Sequence, residues 1–172
     1  PIEDDLYLTF RDLVELRMVD RFRHQDISLP YLRKVVAAAQ DLVGDHPFST
    51  SRFKSDGRKL YLEMLSRTEE PKLIEVLSGQ HAFHSIISVG LRDLEFEHGI
   101  ASLWRPESGQ GEVVVDPKRA FGKPILDRYG VPTAVVARQV RGGRIVREVG
   151  FDFEIDPRAV RAAISFEAKL AA

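Results

Sequence analysis

Apolar residues recur at four-residue intervals near the start of the chain. Phe10, Val14, Met18 and Phe22 follow this spacing, and further apolar residues fall between them. Because an α-helix has about 3.6 residues per turn, the pattern predicts a helix. Since apolar residues lie on more than one side of it, we expect this helix to be buried.

A second helix is predicted directly after the first. Ser28 is a good N-cap, Pro30 lies in the first turn, where its missing N–H is tolerated, and Gly44 is suited to end the helix. A single apolar stripe runs along this helix: Leu32, Val35, Val36, Ala39 and Val43.

Alternating apolar and polar residues replace the helical period after residue 52. Two such segments, residues 53–54 and 59–63, flank Ser55-Asp56-Gly57, and Asp-Gly at this place predicts a β-hairpin. Helix, turn, helix and hairpin is the order of a winged helix-turn-helix, in which the hairpin is the wing. Cations outnumber acids there, which favours contact with a phosphate backbone, although a solvated turn fits equally well. The cations are Arg52, Lys54, Arg58 and Lys59.

The middle of the chain predicts further strands and one helix. Residues 73–77 form a predicted strand, residues 84–95 a helix in spite of Gly90, and residues 100–104 and 112–115 a second hairpin. We therefore assign residues 1–115 to a winged-helix-like region with a small antiparallel sheet.

Residues 116–172 differ in character, because prolines and glycines interrupt regular elements until residue 133. Three short helices are predicted: residues 134–140 with Thr133 as N-cap, residues 145–149 ended by Gly150, and residues 158–169 after Asp156-Pro157. They predict an all-helical, helix-turn-helix-like second domain and an α+β fold class. Arginines are spread over it: Arg138, Arg141, Arg144, Arg147, Arg158 and Arg161.

Charge is distributed unevenly along the 172 residues, although the formal net charge is only −1. Residues 1–64 have a net charge of −1, residues 65–115 of −4, and residues 116–172 of +4. This asymmetry predicts that the basic end meets phosphate and that the acidic middle meets a basic protein. The chain has no cysteine and no apolar run of about 20 residues, which favours a cytoplasmic protein without disulfides.

Catalytic and metal-binding signatures are weak. His81 and His84, with Glu95 and His98 nearby in sequence, resemble metal ligands, but surface histidines explain the spacing as well. Glycine-rich phosphate loops of the GxxxxGK[ST] and GxGxxG types and a GxSxG serine motif are absent. Residues 121–124 could form an anion-binding turn or, more simply, a chain reversal. We predict no enzyme activity, no cofactor and no metal.

Two resemblances cover much of the chain. The order of residues 8–36 resembles the second half of MerR-type regulators. The chain is also similar to VapB-type antitoxin-like proteins, which join a MerR-like winged region to a C-terminal three-helix domain of unknown function. The matching segments are residues 8–10, 12–15, 46–48, 56–57, 79–80, 114–124, 129–133 and 156–164. The upstream helix-turn-helix of such proteins is missing here and the chain begins at Pro1, so we expect a fragment or a processed product.

The VapB resemblance implies an antitoxin that masks a PIN-domain ribonuclease toxin and binds its own operator in double-stranded DNA. A homodimer is expected, because regulators that bind paired half-sites are usually two-fold symmetric. The alternatives are a stand-alone DNA-binding regulator and, more remotely, a metal enzyme using His81 and His84. The predicted toxin-binding residues are Glu69, Glu70, Glu95 and Glu97. The predicted DNA-binding residues are Arg52, Lys54, Arg58, Lys59, Arg141, Arg144, Arg158 and Arg161.

Overall fold

The computed structural model describes residues 7–55, 60–64, 72–78, 93–107 and 111–171. In this part of the chain, five α-helices and two antiparallel sheets confirm the α+β class. The chain divides into two compact units, which are described separately. Unit 1 comprises Pro1–Leu91 and Phe96–Ala101, and unit 2 comprises Arg92–Glu95 and Ser102–Ala172.

Helix α1, Phe10–Arg23, begins unit 1. Thr9 caps it, because its hydroxyl accepts a hydrogen bond from the Asp12 N–H and its own N–H donates to the Asp12 carboxylate. Val14, Met18 and Phe22 are buried as predicted, but Leu16 is 54% exposed. The expectation of burial on more than one side was therefore wrong, and α1 buries a single stripe.

Helix α2, Leu29–Val43, has the predicted bounds. The Ser28 hydroxyl accepts a hydrogen bond from the Tyr31 N–H at 3.4 Å, and Gly44 ends the helix with φ of 79°. Leu32, Val35 and Ala39 are buried. The predicted stripe is confirmed at these three positions.

A three-stranded antiparallel sheet follows the helices in unit 1. It consists of β1 (Phe53–Ser55), β2 (Leu60–Met64) and β3 (Lys72–Glu75), with β2 in the centre. The two strands of the predicted hairpin are confirmed, and its turn, residues 56–59, lies outside the described residues. Phe48 lies between Phe22 and Phe53 in edge-to-face contacts of 5.1 and 5.0 Å, which join α1 to the sheet. The function of this hairpin as a wing remains a prediction.

The helix predicted at residues 84–95 was wrong at its end, where the structure has strand β4, Leu94–Glu97. Leu94 is buried, Glu95 exposed, Phe96 half-buried and Glu97 exposed, which is the two-residue period of a strand. The remainder of the predicted helix, residues 84–92, lies outside the described residues.

Strand β4 begins a five-stranded antiparallel sheet, whose order is β4-β5-β6-β7-β8. The other strands are β5 (Ile100–Trp104), β6 (Val113–Val115), β7 (Pro124–Leu126) and β8 (Val131–Pro132). The predicted second hairpin is confirmed as the pair β5 and β6.

The prediction that residues 116–172 are all-helical was wrong, because β7 and β8 lie within them. β7 pairs with β6, so the boundary predicted after residue 115 falls between two hydrogen-bonded strands. In the sequence, Pro124 suggested a break in regular structure and Pro132 suggested the start of a helix. Both occupy strand ends, where a missing N–H is tolerated.

Three helices complete unit 2: α3 (Thr133–Arg141), α4 (Val146–Asp152) and α5 (Pro157–Leu170). The predicted helices are thus confirmed with small changes in their bounds. Helices α3 and α5 pack on β7, α5 also packs on β6, and α4 packs on α3 and α5; all three contribute to one apolar core. The core comprises Val113, Leu126, Val136, Val149, Ile155, Ala159, Val160, Ala163 and Phe166.

Two local predictions in these helices were wrong. Thr133 is the first residue of α3 and not its cap, because its buried hydroxyl donates to the Glu167 carboxylate. Gly150 lies inside α4 and does not end it. The carbonyl oxygen of Ile155 would lie 2.8 Å from a Cβ at position 150, so glycine permits a close approach between two backbone segments.

Candidate nucleic-acid interface

One hydrogen bond joins the start of α3 to the last turns of α5. The Thr133 hydroxyl, at the start of α3, donates to the Glu167 carboxylate near the end of α5 at 2.5 Å. The two helices also share the core through Val136 and Ala163. The start of α3 therefore lies beside the end of α5, and from the shared core we infer that the helices are antiparallel, with the end of α3 toward the start of α5.

Four arginines gather at the second of these two places. Arg138 and Arg141 occupy the last turn of α3, and Arg158 and Arg161 occupy the first turns of α5. With a rise of about 1.5 Å per residue, both pairs lie on the order of 10 Å along the helices from the Thr133 contact. All four are exposed. We call these four residues the arginine end.

The positive charges of the arginine end are not neutralised by acidic side chains in the part of the chain that the structure describes. Within the described residues, Arg138, Arg141, Arg158 and Arg161 form no ion pair. Cations that are not paired within the protein are available to replace the counterions of a phosphate backbone. The sequence singled out three of them, and the structure adds Arg138.

Arg144 differs from these four arginines. It lies in the turn between α3 and α4, and its guanidinium pairs with the Asp152 carboxylate at the end of α4. The pair joins the turn to the helix that follows it, so Arg144 offers less free charge than its neighbours.

A cavity of about 560 Å³ adjoins the arginine end, and Arg158 forms part of its wall. Arg128 lies over the ring of Tyr129 at 5.6 Å, and the Tyr129 hydroxyl accepts a hydrogen bond from the Asp156 N–H. Both acidic and basic side chains line the cavity, so its charge alone selects no ligand. Its wall further includes Arg105, Glu112 and Asp127.

Asp127 is the centre of an ion-pair network in unit 2. Its two carboxylate oxygens lie 2.8 Å from the Arg105 guanidinium and 2.7 Å from that of Arg119. Partial burial acts to raise the pKa of Asp127, but the hydrogen bonds from Arg119 and Arg105 outweigh it and hold the pKa below its usual value. Arg105 also pairs with Glu95 at 2.8 Å, and Arg119 with Asp116 at 2.7 Å. The network joins β4, the end of β5 and the turns on either side of β7.

The structure describes two of the four predicted toxin-binding residues. Glu95 is held by Arg105, so one of its oxygens already has a cationic partner. Glu97 is exposed at the end of β4. Glu69 and Glu70 lie outside the described residues. The structure therefore brings no cluster of these four acids together in the residues that it describes.

The structure likewise describes two of the four predicted DNA-binding residues of the hairpin. Arg52 is half-buried and has an interaction partner, and Lys54 lies in β1. Arg58 and Lys59 lie outside the described residues. The hairpin as a DNA contact stays a prediction.

The histidines His81 and His84 of the weak metal prediction lie outside the described residues as well. In the described ranges, His, Cys, Asp and Glu side chains form no group of three or more that could hold a metal ion.

Glu15 is a partly buried carboxylate that the sequence did not single out. Its Oε1 accepts hydrogen bonds from the backbone N–H groups of Phe48 at 2.7 Å and Ser49 at 3.2 Å. Burial raises the pKa of Glu15 from 4.5 to about 7, although both hydrogen bonds and the nearby Arg11 act to lower it. Only the fold, which brings residues 48 and 49 to α1, makes this carboxylate unusual.

Comparison with known proteins finds a similar sequence and a similar solved structure. The chain is 28% identical over 167 residues to a protein of Mycobacterium tuberculosis (strain ATCC 25618 / H37Rv) named "Putative antitoxin VapB45". The alignment covers 91% of this chain and 70% of that protein, and supports the resemblance to VapB-type antitoxins. No protein-family model matches the chain.

A similar solved structure is the crystal structure of Rv2018 from Mycobacterium tuberculosis. It superposes with a TM-score of 0.65 at 22% identity, over 95% of this chain and 81% of that chain. The two proteins therefore share a fold. In the part of our chain that the structure describes, no helix is both long and apolar enough to span a bilayer.

Proposed function

We propose that the chain is an antitoxin-like component of a type II toxin–antitoxin module. It neutralises a PIN-domain ribonuclease toxin by binding it, and it regulates its own operon by binding DNA. The observation that carries the proposal is the 28% identity to a protein named as an antitoxin, which extends over 91% of this chain. Because the similarity includes both units, it supports a common role for the whole chain and not for a single DNA-binding element.

The DNA-binding part of the proposal rests on the arginine end. Four exposed arginines meet at one end of the α3–α5 pair, and they have no ion pairs within the described residues. Helix α3, the turn at Gly142 and Gly143, and α4 have the order of a helix-turn-helix. Contacts from arginines to phosphate would position the protein on the duplex, and a homodimer would place two such ends on paired half-sites.

The toxin-binding part rests on charge. Residues 65–115 have a net charge of −4, which favours a partner with a basic surface, and Glu69, Glu70, Glu95 and Glu97 are the proposed contacts. Reversal of these four glutamates to lysine should weaken the complex with the toxin. A complex that survives the reversal would exclude this surface.

The proposed function is tested with the protein encoded beside this chain's gene. That protein is expressed in growing cells alone and together with the chain, and the two purified proteins are then mixed and separated by size-exclusion chromatography. We expect growth arrest by the neighbour alone, recovery of growth on co-expression, and a stable complex. A neighbour that is harmless, or whose toxicity the chain does not relieve, would contradict the antitoxin role.

A stand-alone DNA-binding regulator is the second candidate, because the arginine end would serve such a protein equally well. The same experiment separates the two candidates. Binding of the chain to its upstream DNA without any complex with the neighbouring protein would favour the second one.

A further inference from the structure

Phe121 has an unusual backbone and an unusual surface position. Its φ and ψ are 55° and 36°, in the left-handed region, and its side chain is 98% exposed. Ala120 and Gly122 on either side also have positive φ, of 46° and 72°. Glycine adopts this region readily, but a bulky residue such as phenylalanine rarely does.

Surrounding interactions hold the loop in this conformation. The Asp116 carbonyl oxygen accepts a hydrogen bond from the Arg119 N–H, and the Arg119 carbonyl oxygen accepts one from the Gly122 N–H. The Arg119 guanidinium donates to the carboxylates of Asp116 and Asp127 and to the Asp127 carbonyl oxygen at 2.7 to 2.9 Å. The loop is therefore fixed by its neighbours, and Phe121 itself contributes nothing to the core.

Both features of Phe121 oppose folding. A left-handed phenylalanine strains the backbone, and a fully exposed ring gains nothing from burial. Strained residues of this kind concentrate at binding sites. An aromatic ring on a rigid loop can enter a pocket with little loss of conformational freedom, which suits it to anchor an interface.

The loop lies away from the arginine end. Pro124 follows it directly, and the Pro124 carbonyl oxygen lies 3.3 Å from the Thr133 hydroxyl, which also contacts Glu167. Phe121 is thus at the start of α3 and the end of α5, whereas the arginine end is at the opposite ends of both helices. A duplex bound at the arginine end would leave Phe121 accessible.

The charge around Phe121 indicates what kind of pocket it fits. Lys123 is exposed two residues after it, while the charge of Arg119 is balanced by two carboxylates. We propose that Phe121 is an anchor that inserts into an apolar pocket rimmed by carboxylates on the toxin. This inference rests on the proposed antitoxin function, and it adds a toxin contact outside residues 65–115.

The test uses two variants of Phe121 and one matched control. Phe121→Ala removes the ring, and Phe121→Gly removes the ring and also relieves the backbone strain. Phe151→Ala is the control, because Phe151 is 84% exposed but lies in regular helix α4. Calorimetry measures the affinity of each variant for the purified protein encoded by the neighbouring gene. Fluorescence anisotropy measures its affinity for duplex DNA of the upstream region, and circular dichroism measures its unfolding midpoint.

We expect both Phe121 variants to bind the neighbouring protein about 30-fold or more weakly than the wild type, and Phe151→Ala to bind within about twofold. Phe121→Gly should also unfold a few degrees higher than the wild type, since glycine relieves the strain. DNA affinity should be unchanged in both Phe121 variants.

The possible failures can be told apart. Wild-type binding that Phe121→Ala leaves unchanged would overturn this inference and leave the antitoxin function standing. Weaker DNA binding with unchanged protein binding would also overturn it and make Phe121 a DNA contact. If the wild type does not bind the neighbouring protein at all, the proposed function falls, and this inference falls with it.

Discussion

Replacement of Glu15 by glutamine should remove a pH dependence from the stability of the protein. The Glu15 carboxylate is partly buried between α1 and residues 48–49, and its pKa is raised from 4.5 to about 7. Because the folded state binds the proton more tightly than the unfolded chain, the stabilisation by protonation is complete below pH 4.5 and is lost as the pH rises through 7.

The magnitude follows from proton linkage. One proton changes the free energy of unfolding by at most about 1.4 kcal/mol per pH unit between the two pKa values. Since Glu15 is only partly buried, solvent screens its charge, and we expect a total loss of about 1 to 2 kcal/mol between pH 5 and pH 8. Glutamine keeps an oxygen that can accept from Phe48 and Ser49 but does not titrate.

The assay is urea unfolding of the wild type and Glu15→Gln across this pH range, followed by circular dichroism. Arg11, Asp12 and His46 lie near Glu15, so the difference between the two proteins isolates its contribution. We expect the variant to gain stability relative to the wild type as the pH rises. A difference that is constant from pH 5 to pH 8 would refute the reasoning.

Two further predictions concern the core and a close backbone contact. Leu60 is fully buried in β2, so Leu60→Asp should lower the free energy of unfolding by several kcal/mol, as measured by urea unfolding; a loss below about 1 kcal/mol would show that this face is not buried. Gly150→Ala would bring a Cβ to 2.8 Å from the Ile155 carbonyl oxygen, so we expect a lower thermal midpoint. An unchanged midpoint for Gly150→Ala would mean that the two segments can separate at little cost.

The sequence predicts best where local chemistry and apolar spacing agree. Ser28, Pro30 and Gly44 mark the ends of α2, and the apolar stripe between them leaves little choice of structure. The helix predicted at residues 84–95 was wrong at its end, because Leu94 fits both the apolar stripe of a helix and the alternation of strand β4. Pairing with β5, which begins only two residues after β4 ends, decides between the two, and the intervening His98-Gly99 turn was the local signal that the helix prediction overlooked.

The sequence predicted individual DNA-binding arginines, but it did not predict that they lie close together on one surface. Arg141, Arg158 and Arg161 were named from the positive charge of the last third, but their convergence depends on the antiparallel packing of α3 and α5. Arg138 carried the same charge and was not distinguished. Phe121 gave no signal, because only the backbone conformation reveals that the loop exposes it.

The most direct test of the arginine end as the DNA-binding surface is the salt dependence of duplex binding by Arg158→Ala with Arg161→Ala. Each phosphate contact contributes close to one unit to the slope of log affinity against log salt, so the double variant should weaken binding and flatten the slope by up to about two units. Its unfolding midpoint should be nearly unchanged, since both side chains are exposed. The comparison is Arg58→Ala with Lys59→Ala in the hairpin, from which we expect a smaller effect. Equal or greater loss from the hairpin pair, with the helix pair silent, would contradict the account.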